Sequence, residues 1–108
     1  MRIQLRDEEW NTLQRATEVF GNRTMENVLH EEMGELMVAL SHRDRGRVRH
    51  DREVVEELAD CFVVMTQLAQ TVGMDLVMGI ADTKLERLKA RVEANDKNLN
   101  TLGVEQNG

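Results

Sequence analysis

Apolar positions return at helical spacing over four stretches of this chain. Trp10, Leu13, Thr17 and Phe20 share one stripe of a first helix over about Asp7–Phe20, which Gly21 ends. Thr24 is the expected N-cap of a second helix that continues to about His42. Asp51 is the expected cap of a third, which reaches Thr71 or Val72 before Gly73 stops it. Asp75 is the expected cap of a fourth, ending near Glu93. A basic loop with Gly46 as its flexible point joins the second and third. From Asn95 to Gly108 the chain is polar and without a period, the pattern of a flexible tail. The chain holds no proline, which suits long helices. The expected fold is all-α: one domain over residues 1–94, resembling a four-helix bundle, and a tail over 95–108.

Winding the second and third helices at about 100° per residue exposes a conflict. With Glu32 as reference, Met25, Val28, Leu36 and Ala39 fall within about 40°, and Glu35 lies about 60° away. With Glu57 as reference, Val54, Cys61, Val64, Leu68 and Val72 fall within about 60°, and so does Asp60. Four carboxylates therefore occupy the faces that should pack. A buried carboxylate is costly unless it is paired, protonated or bound to a cation. A hard divalent cation, magnesium or calcium, takes oxygen ligands and removes the mutual repulsion. Glu32/Glu35 and Glu57/Asp60 are i, i+3 pairs, neighbours on a helix surface that can converge on one ion. Glu31 and Glu56 sit about 100° from their references, at the margin of each stripe. A diiron bundle would need Glu-x-x-His from two helices, and none of His30, His42 or His50 follows a Glu by three.

Composition adjusts this picture. Aromatic residues are only 3%, namely Trp10, Phe20 and Phe62, so aliphatic and Met side chains must build the core. A core that small in 108 residues points to a homo-oligomer, a homodimer or homotetramer. The single cysteine, Cys61, excludes an internal disulfide and reads as a small buried hydrophobe. A net charge of −6 argues against nucleic acid as a partner. Arg43, Arg45, Arg47, Arg49 and Arg52 stand against only Asp44 and Asp51, either to close over a polyphosphate or as a solvated loop. No signal peptide and no apolar stretch long enough for a bilayer is visible, so a cytoplasmic location and no membrane partner are expected.

Glu31-Glu32-Met33-Gly34-Glu35, followed after a 21-residue spacer by Glu57-Leu58-Ala59-Asp60, resembles the Glu-Glu-x-x-Glu … Glu-x-x-Asp signature of MazG-like nucleoside triphosphate pyrophosphohydrolases. Ala81-Asp82-Thr83-Lys84-Leu85-Glu86-Arg87 is similar to that family's later basic motif, with Asp82 where Asn is usual and Leu88 where Asn or Arg is common. The resemblance covers roughly Phe20 to Glu93. It implies an all-α NTP pyrophosphatase fold and hydrolysis of a nucleoside or deoxynucleoside triphosphate between its α and β phosphates. It also implies Mg2+, with Mn2+ as a substitute, on Glu32, Glu35, Glu57 and Asp60. Glu31 and Glu35 would serve the chemistry, Glu31 by orienting or deprotonating a water. Lys84 shares a stripe with Val77, Ile80 and Leu88, and Lys84, Arg87 and Arg91 would bind the polyphosphate. Trp10 has two readings, stacking on a base or packing in the core. The alternatives are a relative acting on phosphoribosyl-ATP or one deoxynucleotide, a non-catalytic metal- or nucleotide-binding regulator, and a purely structural helical dimer.

Overall fold

The structure is a computed structural model that describes residues 1–45 and 50–107. Gly46, Arg47, Val48 and Arg49 of the basic loop lie outside the described residues, as does Gly108. The described chain is all-α: α1 Asp7–Phe20, α2 Asn22–Asp44, α3 His50–Val72 and α4 Met74–Asn107.

Local chemistry sets the helix ends. The Glu9 carboxylate accepts from the Arg6 backbone N–H at 2.9 Å and from Arg6 Nε at 3.0 Å. Asp7, Glu8 and Glu9 fill the first turn of α1, where the partial positive charge of the helix start favours acids. At the other end the Gly21 N–H donates to Thr17 O at 2.8 Å, while Gly21 O accepts from Met25 N–H at 3.2 Å. One residue with φ +89° thus closes α1 and opens α2, a conformation that favours glycine. Gly73, at φ +122°, separates α3 from α4 in the same way.

These junctions correct the expected caps. Gly21, not Thr24, precedes α2, because its carbonyl already receives the first helical hydrogen bond. Asp51 and Asp75 lie inside the first turns of α3 and α4, where their charge suits the helix start. The fourth helix runs on past Glu93 to Asn107. Between Glu93 and Gly103 there is neither proline nor glycine to stop it, and Lys89 pairs with Glu93 one turn later at 3.9 Å.

The chain divides into two units, residues 4–74 and Met1–Ile3 with the chain from Asp75. In the first, α2 and α3 form an antiparallel hairpin that buries Met25 and Ala39 of α2 against Cys61, Val64 and Ala69 of α3. Thr66 is buried too, its hydroxyl donating to Phe62 O at 2.7 Å. Near the turn, His42 Nδ1 lies 3.3 Å from Glu53 Oε1, tying the end of α2 to the start of α3. At the opposite end α1 is fastened by two amides: Gln67 Nε2 donates to Thr17 Oγ1 at 2.8 Å and Gln70 Nε2 to Trp10 O at 3.0 Å.

No residue of α1 is buried. The expected Trp10–Phe20 core stripe is therefore not a core: Trp10 is 37% exposed and Phe20 67%. The attachment of α1 is polar and edge-on, so its apolar stripe has little to pack against. In the second unit, α4 carries exposed Leu76, Ile80, Leu88 and Val92, and Asp82 pairs with the Met1 amino group. Among the described residues no single helix is long and apolar enough to cross a membrane.

Candidate metal centre

The hairpin does what winding the two helices implies. Glu32 and Glu35 from α2 and Glu57 from α3 each bring one carboxylate oxygen within 4.8 Å of the others. Glu32 and Glu57 are half-buried and Glu35 is exposed, so the group is rooted in the hairpin and opens to solvent on one side. Asp60 stands outside this tight group and is exposed. Its charge still reaches both Glu32 and Glu57. Its shorter side chain, at the margin of the α3 stripe, keeps it at the rim.

The electrostatics show what this arrangement lacks. Glu32 Oε2 and Glu57 Oε2 are sealed from solvent and have no hydrogen-bond partner among the described residues. Burial lifts Glu57 from the ordinary carboxylate range to about 7, helped by a hydrogen bond to Glu35 and by the charges of Glu35, Asp60 and Glu32. That hydrogen bond needs a proton on one partner, since two carboxylates offer only acceptors. Burial also raises Glu32, followed by the charges of Glu35 and Asp60, a hydrogen bond to Glu35 and the charge of Glu31. Cys61 lies buried beneath the acids, and burial followed by the charges of Glu32, Glu57, Asp60 and Glu35 pushes its thiol up. A thiol held protonated is a poor ligand, which leaves an all-oxygen donor set.

Two orphaned buried oxygens within a cluster of acids fit a hard divalent cation. A metal would supply the positive charge that the described residues do not place there. Protons are the other remedy, and burial, with the neighbouring acids, holds the Glu57 carboxyl at about 7.

The remaining sequence candidates separate clearly. Glu31 is exposed beside the cluster and acts on Glu32 only through its charge. Glu56 is exposed and accepts from Arg52 Nε at 2.9 Å. Arg43 lies 4.0 Å from its neighbour Asp44, while Arg47 and Arg49 fall outside the described residues. Trp10 lines an open groove of about 230 Å³ with Gln14, Thr17, Glu18, Gln70 and Thr71. Thirteen residues of α3 separate Gln70 from Glu57, about 20 Å of helix, so the structure does not bring Trp10 to the acids. Lys84, Arg87 and Arg91 are exposed on α4, in the other unit. The residue pair that sequence reasoning missed is His42–Glu53, which stands eleven positions apart and carries no periodic signal.

With this geometry in view, the comparison with protein families is decisive. The family model of the MazG nucleotide pyrophosphohydrolase domain matches residues 20–93. The chain belongs to this family. No curated protein and no solved structure matches it. The MazG match takes in Glu32, Glu35, Glu57 and Asp60 with Lys84, Arg87 and Arg91, and it leaves Trp10 outside. The acids that the MazG hairpin gathers are thus within the matched domain, and the groove beside Trp10 is at its edge.

Proposed function

We propose that this MazG domain hydrolyses a nucleoside or deoxynucleoside triphosphate between the α and β phosphates, releasing a monophosphate and pyrophosphate. The reading rests on the family together with one observation, the two buried carboxylate oxygens of Glu32 and Glu57 that have no partner. Magnesium, with manganese as a substitute, would be held by Glu32, Glu35 and Glu57, with Asp60 at the rim. When bound, the cation supplies neutralisation of phosphate charge and a lower pKa for a bound water.

The chain's own groups take the other parts. Glu57 gives up its proton as the site loads, because its carboxylate form is the ligand. Glu35 keeps contact with both Glu32 and Glu57 and fixes their oxygens relative to one another. Glu31, beside Glu32 and open to solvent, orients the attacking water and accepts its proton. The water oxygen forms the new bond to one of the two phosphorus atoms that flank the α–β bridge, the bridging oxygen leaves with the other, and the negative charge passes to that departing monophosphate or pyrophosphate. Lys84, Arg87 and Arg91 bind the polyphosphate chain and stabilise that charge. The domain works as a homodimer or homotetramer, which completes its thin core.

Pyrophosphate release from a panel of nucleoside triphosphates, with and without magnesium, tests the proposal. Turnover that needs the metal and yields a monophosphate is the expected result. Metal binding without turnover on any nucleotide would instead support a non-catalytic regulator.

A further inference from the structure

The junction of α1 with α3 holds a groove that the proposed reaction does not use. Its volume is about 230 Å³, and Trp10, Gln14, Thr17 and Glu18 of α1 line it with Gln70 and Thr71 of α3. All six residues belong to the same unit as the acidic hairpin, yet about 20 Å of α3 separates Gln70 from Glu57. Trp10 is 37% exposed here, on a helix that buries none of its residues. An indole left open beside a concave surface offers a flat, electron-rich face to a ligand.

The polar groups around that face are mostly acceptors. Gln70 Nε2 donates to Trp10 O at 3.0 Å, which leaves the Gln70 side-chain oxygen to accept. The Thr71 hydroxyl donates to Gln67 O at 3.0 Å, so its oxygen can only accept. Thr17 is already satisfied, donating to Leu13 O and accepting from Gln67 Nε2. Glu18 Oε2 accepts from Arg15 Nη1 at 3.3 Å, while Oε1 takes no hydrogen bond among the described residues. Arg15 lies about 140° round α1 from Trp10, and no cationic side chain lines the groove. Asp7, Gln14 and Glu18 fall about 60°, 40° and 80° from Trp10 in one sense, so a further acid stands one turn beyond the groove on the same flank. Gln70 and Thr71 sit in the last turn of α3, whose partial negative charge no basic residue of that turn offsets.

We infer that this groove binds a small organic cation, an alkylguanidinium or alkylammonium, through the indole of Trp10 and the carboxylate of Glu18. Charge selects the class. An aromatic face, a carboxylate and the negative end of a helix all favour a cation, and the same set repels phosphate, so the triphosphate substrate is not the occupant. The acceptors select the head group. A guanidinium or ammonium carries only donors, which Glu18 Oε1, the Gln70 oxygen and the Thr71 oxygen can take, with Gln14 turning its amide oxygen inward. The alkyl arm lies along the open side of the groove. The site is independent of the acidic hairpin, and its occupancy does not require that the domain hydrolyse nucleotides.

Trp10 is the only tryptophan and the chain has no tyrosine, so its emission reports on this groove alone. Titration of the full chain with butylguanidinium at constant ionic strength should change that emission saturably, with half-saturation roughly in the millimolar range. Butylurea, uncharged and of similar shape, should give no saturable change. Glu18→Gln should weaken the binding by at least fivefold. Gln14→Lys, which places a fixed cation at the groove, should abolish it. Both positions are exposed on α1, and circular dichroism confirms that each variant keeps its helices. Glu57→Gln should respond as wild type does, because the acidic hairpin is a different site. No saturable change in wild type, an equal response to butylurea, or unaltered binding in both Glu18→Gln and Gln14→Lys would each overturn the inference. A response lost in Glu57→Gln would place the cation on the acidic hairpin and overturn it as well.

Discussion

Loading the acidic site with a cation should release a proton, and the amount follows from Glu57. Its carboxyl is held at about 7 by burial and by the charges of Glu35, Asp60 and Glu32. A ligand must be deprotonated, so the proton that Glu57 carries in the free protein leaves when the metal arrives. A group titrating near 7 carries about half a proton at pH 7, roughly 0.9 at pH 6 and roughly 0.1 at pH 8. Glu32, also raised, adds to release at the acidic end. Apparent metal affinity should therefore fall by about fivefold from pH 7 to pH 6 on account of Glu57 alone, and the steeper side should lie below 7.

Stability of the metal-free protein follows the same group. Its folded-state pKa lies above its ordinary value of 4.5. The folded state then binds more protons than the unfolded one between 4.5 and 7. The contribution of Glu57 is thus fully favourable below about 4.5 and is lost as pH rises through about 7. Saturating metal should flatten the decline. Isothermal titration of magnesium or manganese at pH 7, in two buffers of different ionisation enthalpy, counts the protons released. Glu57→Gln should abolish most of that release and flatten the pH profile of melting. Metal binding that releases no proton at pH 7, with equal affinity at pH 6 and pH 8, would refute the reasoning.

Three more outcomes are expected. Glu35→Gln and Asp60→Asn should each lower pyrophosphate release by about 100-fold or more, the Glu35 variant more severely, since Glu35 brings an oxygen within 4.8 Å of both half-buried acids; intact turnover in either would remove that residue from the site. Lys84→Ala should raise KM for the triphosphate by about tenfold or more and lower kcat less, because it removes one cation from polyphosphate binding; steady-state kinetics over magnesium-nucleotide concentration reads both. Gly21→Ala should destabilise the fold by about 1–2 kcal/mol, seen as a lower Tm, because φ is +89° there while nothing lies within 4 Å of an added Cβ, so the cost is purely one of backbone conformation.

The sequence revealed the central site because two periodicities conflicted with polarity in the same way. Glu32 and Glu57 sit at the middle of apolar stripes, and a helix has no other place to put them, so their meeting across the hairpin follows from winding alone. Helix existence was equally legible: α1 begins and ends where its acidic first turn and Gly21 require. The caps were not. Thr24, Asp51 and Asp75 are favourable both as caps and within a first turn, and nothing local separates those roles. The exposure of Trp10 and Phe20 was hidden because it depends on where α1 docks, and two glutamines on α3, fifty and sixty positions away, decide that. Which acids crowd together was hidden for a similar reason. Angular position places Asp60 as near the seam as Glu35, but side-chain length leaves Asp60 at the rim.

The property to measure is whether Glu32, Glu35 and Glu57 form a binding site for a divalent cation. Manganese titration of the purified protein, followed by electron paramagnetic resonance, measures this without any assumption about substrate. Wild type should bind the ion with saturation, magnesium should compete for it, and Glu57→Gln and Glu32→Gln should each weaken binding by at least tenfold while the helices remain folded. Binding of equal strength in wild type and both variants would contradict the account.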